Sequence, residues 1–150
     1  MIEIKKLKKN DIKLALTLIK EWRNNSAYKQ AVQPVGLDNS QIIQRLSDKN
    51  FHVFVASQEG KVLGGLTAYT LPLITRAESK MFLYEIEVQD KFRKKGIASR
   101  LIESLKKFCD EVKIKTIFLC TDLENIAAEG LYKKMGGERE IVPMYIFKTQ

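Results

Sequence analysis

The sequence predicts a mixed α/β domain, a single mixed β-sheet flanked by about four helices in the order β-α-α-β-β-β-α-β-α-β. Three observations predict it. Short β-branched or alternating runs take turns with stretches of helical apolar spacing along all 150 residues. Phe51 to Ser57 and Val62 to Leu71 flank a short turn, Gln58-Glu59-Gly60-Lys61, as the two arms of an antiparallel hairpin do. Met81 to Val88, the amphipathic stretch from Gly96 to about Val112 and the apolar run Thr116 to Thr121 form a strand-helix-strand unit, whose right-handed crossover makes its two strands parallel.

The remaining elements follow in order. Ile2 to Leu7 alternates apolar and polar residues as a first strand does. Asn10 or Asp11 can cap a helix whose apolar positions Ile12, Leu14, Ala15, Leu18, Ile19 and Trp22 recur at helical spacing, ending near Arg23 to Asn25. Residues 24–37 mix Asn, Ser, Gly and Pro with Tyr28, Val32 and Val35, a loop with apolar anchors. Asp38 to Ser40 offers caps for a second, short helix bearing Ile42, Ile43 and Leu46. Gly64 and Gly65 within the second hairpin arm imply a bulge or a close approach of ligand or backbone. Pro72 stops that arm, and Leu73 to Lys80 connects it to the next strand. Asp122 to Asn125 caps a last helix that Gly136-Gly137 ends near Met135. Ile141 to Phe147 reads as a final strand. No linker, repeat or low-complexity segment divides the chain, so residues 1–150 are expected to form one domain.

Composition excludes several classes. No apolar run is long enough for a membrane span, and the start MIEIKKLKKND lacks the apolar core of a signal peptide, which points to a cytoplasmic protein. The cysteines, Cys109 and Cys120, have no metal-type spacing, and His52 is the single histidine, so no metal site is expected. Both cysteines fall in apolar patterns and read as reduced core residues. The net charge of +8 suits a polyanionic ligand or nucleic acid alike. Because the basic residues spread along the chain, with clusters only at Lys5 to Lys9 and Lys91 to Lys95, most of that charge reads as solvated surface.

The chemistry concentrates between Met81 and Arg100. A strand carrying Glu85 and Glu87 runs into the basic turn Lys91-Phe92-Arg93-Lys94-Lys95, then Gly96, then a helix. Free N–H groups of the first helical turn, the helix dipole and a glycine without a Cβ together make an anion site, which implies a phosphorylated ligand.

Arg93-Lys94-Lys95-Gly96-Ile97-Ala98 resembles the Arg/Gln-x-x-Gly-x-Gly/Ala signature of the GNAT superfamily of acyl-CoA-dependent N-acetyltransferases, and the element order is similar over essentially the whole chain. Asn125-Ile126-Ala127-Ala128-Glu129-Gly130-Leu131-Tyr132-Lys133-Lys134-Met135-Gly136 looks like a second signature of that family, Asn-x-x-Ala-x-x-x-Tyr-x-x-x-Gly. The resemblance implies acetyl-CoA as co-substrate. It also implies that main-chain groups of Arg93, Lys94, Lys95, Gly96, Ile97 and Ala98 hold the pyrophosphate, that Asn125 contacts the pantetheine arm, and that the Tyr132 hydroxyl acts as general acid near the thioester sulfur. The main-chain N–H groups around Ile86 and Val88 are expected to polarise the thioester carbonyl. By the same resemblance a bulge there leaves the two central strands splayed.

Glu85 and Glu87, two residues apart on a strand, share a face, where partial burial beside a like charge is expected to move one carboxylate toward useful base strength; Glu85 is the first choice for the base that deprotonates the acceptor amine and Glu87 the second. Segments 62–72 and 84–88 and the short C-terminal end are similar to the aminoglycoside 3-N-acetyltransferases, in which an acidic residue matching Glu85 adjoins the acceptor amine. That makes an aminoglycoside 3-amino group, and with it antibiotic resistance, the sharpest substrate expectation. Such a polycation needs a locally acidic groove, for which Glu78, Glu85, Glu87, Asp122 and Glu124 are available. Other small amines, polyamines and peptide or protein amines are the alternative acceptors, expected to be shaped for by residues 24–37 and 72–80. No nucleic acid or membrane partner is expected, and a homodimer is implied by family analogy only. The rival classes are a nucleic-acid-binding module resting on the charge and a non-catalytic acyl-CoA sensor.

Overall fold

The computed structural model describes residues 1–25 and 36–150. The described chain divides into two compact units, Met1–Cys120 and Thr121–Gln150. The first holds β1 (Glu3–Lys6), α1 (Ile12–Asn24), α2 (Asn39–Ser47), β2 (Phe51–Gln58), β3 (Lys61–Pro72), β4 (Ser79–Val88), a single 3₁₀ turn (Asp90–Phe92), α3 (Ile97–Glu111) and β5 (Ile117–Phe118). The five strands form one sheet in the order β1-β2-β3-β4-β5, antiparallel throughout except for the parallel β4–β5 pair.

The hairpin expected at 58–61 is present. Gln58 pairs with Lys61, and Glu59 and Gly60 both take positive φ, +50° and +78°, the two-residue turn whose twist matches the strands. The glycine pair in β3 marks close backbone approach. A Cβ on Gly64 would lie 2.7 Å from the Glu87 carbonyl oxygen of β4, and one on Gly65 would lie 2.7 Å from that of Phe54 and 2.9 Å from the Leu18 side chain of α1.

Helices cover both faces of the sheet. Ala15, Leu18 and Trp22 of α1 and Ile42 of α2 pack with Leu7, Val53, Val55 and Val62 in one core. On the other face α3 buries Ile97, Leu101, Ile102, Leu105 and Cys109. The α2 N-terminus carries a full capping box, with the Asp38 carboxylate accepting from the Gln41 N–H and the Gln41 side chain accepting from the Asp38 N–H. Asp11 precedes α1, but its carboxylate accepts from the Lys8 N–H and the Lys5 ammonium instead of capping the helix.

The second unit holds α4 (Ile126–Lys134), capped by Asn125, whose side-chain oxygen accepts from the Ala128 N–H. Gly136 ends this helix at φ +87°. Three expectations are corrected. Residues 141–147 form no strand. Pro143 removes a ladder donor from the middle of that run, and an extended segment is a strand only where a neighbour pairs with it. The apolar run from Thr116 pairs only at Ile117 and Phe118, so β5 is two residues long. Cys120 therefore lies beyond it and is exposed, while Cys109 is buried as expected. The loop anchors Tyr28 and Val32, with Val35, lie outside the described residues.

Candidate active site

The site is built on β4. Its pairing with β3 is regular from Val88 back to Glu85, opposite Thr67, and then shifts, with Leu83 opposite Ala68 and Tyr84 left without a counterpart. This is a β-bulge, two residues on one strand against one on the other. Its consequence is the aim of Glu85. Counted by simple alternation from Met81 and Leu83, both buried and outside the α1-side core, Glu85 would point to the α3 face. The extra residue turns it instead to the α1 face, where it lines a cavity of about 270 Å³ with Ala15, Leu18, Trp22, Thr67 and Tyr69. Burial pushes the Glu85 carboxyl above the ordinary glutamate range, opposed by the Thr67 hydroxyl, which donates to it at 3.4 Å.

Glu87 faces the same side but is engaged. The Arg93 guanidinium forms an ion pair with it, and the Asn25 amide donates to its Oε1 at 2.9 Å. Arg93 also pairs with Asp90 at 3.1 Å and donates through Nε to the Val88 carbonyl at 3.3 Å. Asn25 is buried at the end of α1. Besides Glu87 it donates to the Val88 carbonyl at 3.2 Å and accepts from the Asp90 N–H at 2.9 Å, while the Trp22 indole donates to the Glu87 carbonyl at 3.2 Å. Asn25 and Trp22 thus fasten the C-terminal end of α1 to the turn that follows β4. Helical spacing predicts a core position for Trp22 and a helix end near Asn25; Asn25 makes these contacts across more than 60 residues of chain, which no local pattern reveals.

Past Phe82 the edge of β4 that faces β5 pairs with no strand among the described residues, because β5 pairs only with Met81 and Phe82. The Gln89 N–H donates to the Leu63 carbonyl, and Gly64 stands opposite Val88; in an antiparallel ladder this turns the backbone N–H groups of Ile86 and Val88 away from β3, toward that edge. Beyond the 3₁₀ turn, Lys94 takes φ +61° and Gly96 φ +76°, with open space where a Gly96 Cβ would stand. The first intrahelical bond of α3 is Arg100 N–H to the Gly96 carbonyl, so Ile97, Ala98 and Ser99 present free N–H groups at the helix start. With Lys91, Arg93, Lys94 and Lys95 alongside, this turn is fitted to take phosphate groups.

An aromatic row crosses the sheet beside Glu85. Phe51 meets Tyr69 at 5.0 Å between ring centres, Tyr69 meets Tyr84 at 5.9 Å, Tyr84 meets Phe82 at 5.6 Å, and Phe82 stacks on Phe118 at 4.8 Å. Burial, then the neighbouring Glu85 charge, raises the Tyr69 pKa. Of the other carboxylates suggested for an acidic groove, Glu78 pairs with Arg76 at 2.8 Å and lines a separate cavity of about 450 Å³ with His52, Thr70 and Phe108. Residues Pro72, Leu73 and Arg76 to Ser79 line that same cavity. Asp122, Glu124, Asn125 and Tyr132 belong to the second unit, where the Gly137 N–H donates to the Tyr132 carbonyl at 2.9 Å. Among the described residues no group of three or more His, Cys, Asp or Glu is placed to hold a metal ion, and no helix is long and apolar enough to cross a membrane.

Residues 16–137 match the Acetyltransferase (GNAT) family. The L-2,4-diaminobutyric acid acetyltransferase of Wolinella succinogenes is 30% identical over 90 residues, 59% of this chain and 50% of that protein. The chain spans about half the length, or less, of the first curated relatives it matches. Among solved structures, an aminoglycoside acetyltransferase from an uncultured soil metagenomic sample superposes with a TM-score of 0.90 at 25% identity, covering 99% of each chain. A second aminoglycoside acetyltransferase from such a sample, crystallised with sisomicin, superposes with a TM-score of 0.87 at 24% identity, covering 99% of this chain and 97% of that one, which bears on the fold alone.

Proposed function

Because this chain belongs to the Acetyltransferase (GNAT) family, we propose that it is an N-acetyltransferase that moves an acetyl group from acetyl-CoA to the primary amine of a small molecule by direct transfer in a ternary complex. The observation that carries the reading is the continuity of β4 into the α3 N-terminus. One short stretch presents a half-buried carboxylate, a backbone edge that no described strand pairs and a phosphate-fitted turn in succession.

In this reading the free N–H groups of Ile97 and Ala98, with the turn Arg93, Lys94, Lys95 and Gly96, hold the pyrophosphate, and Asn125 contacts the pantetheine arm as its motif suggests. Acetyl-CoA supplies the acetyl group as a thioester. Glu85, directly or through water, accepts the proton that the ammonium form of the acceptor must lose before its nitrogen can attack. The Ile86 and Val88 N–H groups face the edge along which a thioester carbonyl can be polarised. Tyr132, on the strength of its motif, protonates the departing thiolate. The ion pair and the Asn25 hydrogen bond that engage Glu87 favour Glu85 over it as base and suit Glu87 to holding the turn.

The first acceptor reading is an aminoglycoside, at its 3-amino group, supported by the similarity to the metagenomic aminoglycoside acetyltransferase and by segments 62–72 and 84–88. A second reading, another small amine, is favoured by the cavity itself. Glu85 is its single carboxylate among the described residues, and residues 26–35 contain no Asp or Glu. The name of the Wolinella relative, an amino-acid acetyltransferase, points the same way. A thiol-release assay with acetyl-CoA against aminoglycosides, polyamines, amino acids and peptides tests the function. Turnover of one class assigns the acceptor, and silence across the panel removes the catalytic reading.

A further inference from the structure

Among the described residues that line it, the cavity around Glu85 carries charge at two points. Glu85 supplies the negative one and Arg45 of α2 the positive one, and Leu18, Trp22, Phe51 and the Tyr69 ring line the same cavity. Arg45 and Glu85 form no ion pair with each other. Arg45 is exposed, and among the described residues its hydrogen bond runs from Nη1 to the Gln41 carbonyl of its own helix at 3.5 Å, too long to hold the group. Both charges act on Tyr69, which lines the cavity with them, Glu85 raising its pKa and Arg45 lowering it. Asp48, at the end of α2, also acts on Tyr69 but does not line the cavity, and its carboxylate accepts from the Asn50 N–H.

A guanidinium at the rim of an acceptor site is unfavourable to a polycation and favourable to a carboxylate, which it can take with two parallel N–H donors. We propose that the acceptor is an amino acid in the broad sense, a primary amine and a carboxylate joined by an apolar body, with the amine at Glu85 and the carboxylate on Arg45. The apolar body then lies along Leu18, Trp22 and Phe51, where its desolvation contributes binding. This inference rests on the reading of the chain as an amine acetyltransferase.

The test compares matched acceptors that differ only in the carboxylate, 6-aminohexanoate against pentylamine and 4-(aminomethyl)benzoate against benzylamine, with a kanamycin-type aminoglycoside as the polycation. The expected result is a KM lower by about ten- to a hundredfold for one or both carboxylate-bearing members. Arg45→Gln is expected to erase that difference by raising the KM of the carboxylate-bearing members, and Arg45→Lys to retain part of it. Equal KM within both pairs, preference for the aminoglycoside, or an Arg45→Gln variant with the ratio intact overturns the proposal. Acetyl-CoA binding, measured separately by calorimetry, distinguishes the two levels. Binding without turnover of any carboxylate-bearing acceptor sinks the amino-acid assignment alone, and absence of binding sinks it together with the acetyltransferase reading.

Discussion

A carboxylate that must take a proton from an ammonium group works better the closer its pKa lies to the working pH, and burial moves Glu85 in that direction. Two consequences can be measured at this one residue. Glu85→Gln is expected to lower kcat by roughly a hundred- to ten-thousandfold, with acetyl-CoA affinity near normal, and to remove the acidic limb of the pH profile. That limb falls above the ordinary glutamate value of 4.5, because the base form is lost as pH drops through the raised pKa. The second consequence is for stability. The folded state holds the Glu85 proton more tightly than the unfolded chain, so between 4.5 and the raised value it binds more protons and stability declines as pH rises. Glu85→Gln is therefore expected to melt higher than the wild type at pH 7, and the gap is expected to close near pH 4. A variant that loses activity without that gain in melting temperature would mean that Glu85 is not buried as a charge. His52 obeys the opposite sign. Burial, then the Lys6 charge, lowers its pKa to about 4, so its contribution to stability is lost as pH falls from 6.5 toward 4.

At the scale of elements, the tie between α1 and the turn after β4 decides whether the backbone groups of 86–88 stay in place. Asn25 serves three partners at once, and removing its amide takes one hydrogen bond each from the Glu87 carboxylate, the Val88 carbonyl and the Asp90 N–H. Asn25→Ala is expected to cost about 1–3 kcal/mol of stability and to raise the acetyl-CoA KM more than the acceptor KM. Denaturant melts and two-substrate kinetics check it, and an unchanged acetyl-CoA KM would reduce Asn25 to a helix-end contact. Much of this level was legible in the sequence. The hairpin was marked by Glu59-Gly60, α3 by a single apolar stripe, and α4 by Asn125 and Gly136, because each of these signals is local. The glycine pair was read as a bulge or a close approach, and close approach is what Gly64 and Gly65 make. The family resemblance puts a bulge within 85–88, and the structure has it just before, at Tyr84; a bulge is a mismatch in count between two strands, so neither strand alone records where it falls. The Asn25 contacts and the pairing of Arg45 with Glu85 in one cavity were hidden for the same reason, being made by tertiary folding. Residues 141–147 show the converse failure, an apolar pattern that implied a strand without supplying a neighbour.

For the molecule as a whole, the open matter is what a net charge of +8 does. A polyanion approaching the Lys91 to Lys95 turn is drawn by the field of the whole chain as well as by that turn, and a field of this kind acts mainly on the rate of encounter. Raising ionic strength from about 0.01 to about 1 M shortens the Debye length from about 30 to about 3 Å. If the charge serves acetyl-CoA, kcat/KM for acetyl-CoA is expected to fall steadily over that range while kcat at saturation holds. An acceptor that is a zwitterion, with no net charge to attract, should show a much weaker dependence. Lys94→Ala combined with Lys95→Ala is expected to flatten the acetyl-CoA slope without touching the acceptor slope, because those side chains lie at the α3 N-terminus and not on the Glu85 cavity. The nucleic-acid alternative predicts a different pattern. Duplex DNA or single strands would bind with a logarithmic salt slope of several units and would compete with acetyl-CoA at the same turn. Competition of that kind would assign the charge to a second ligand, whereas a salt-dependent acetyl-CoA efficiency with no such competitor assigns it to the co-substrate.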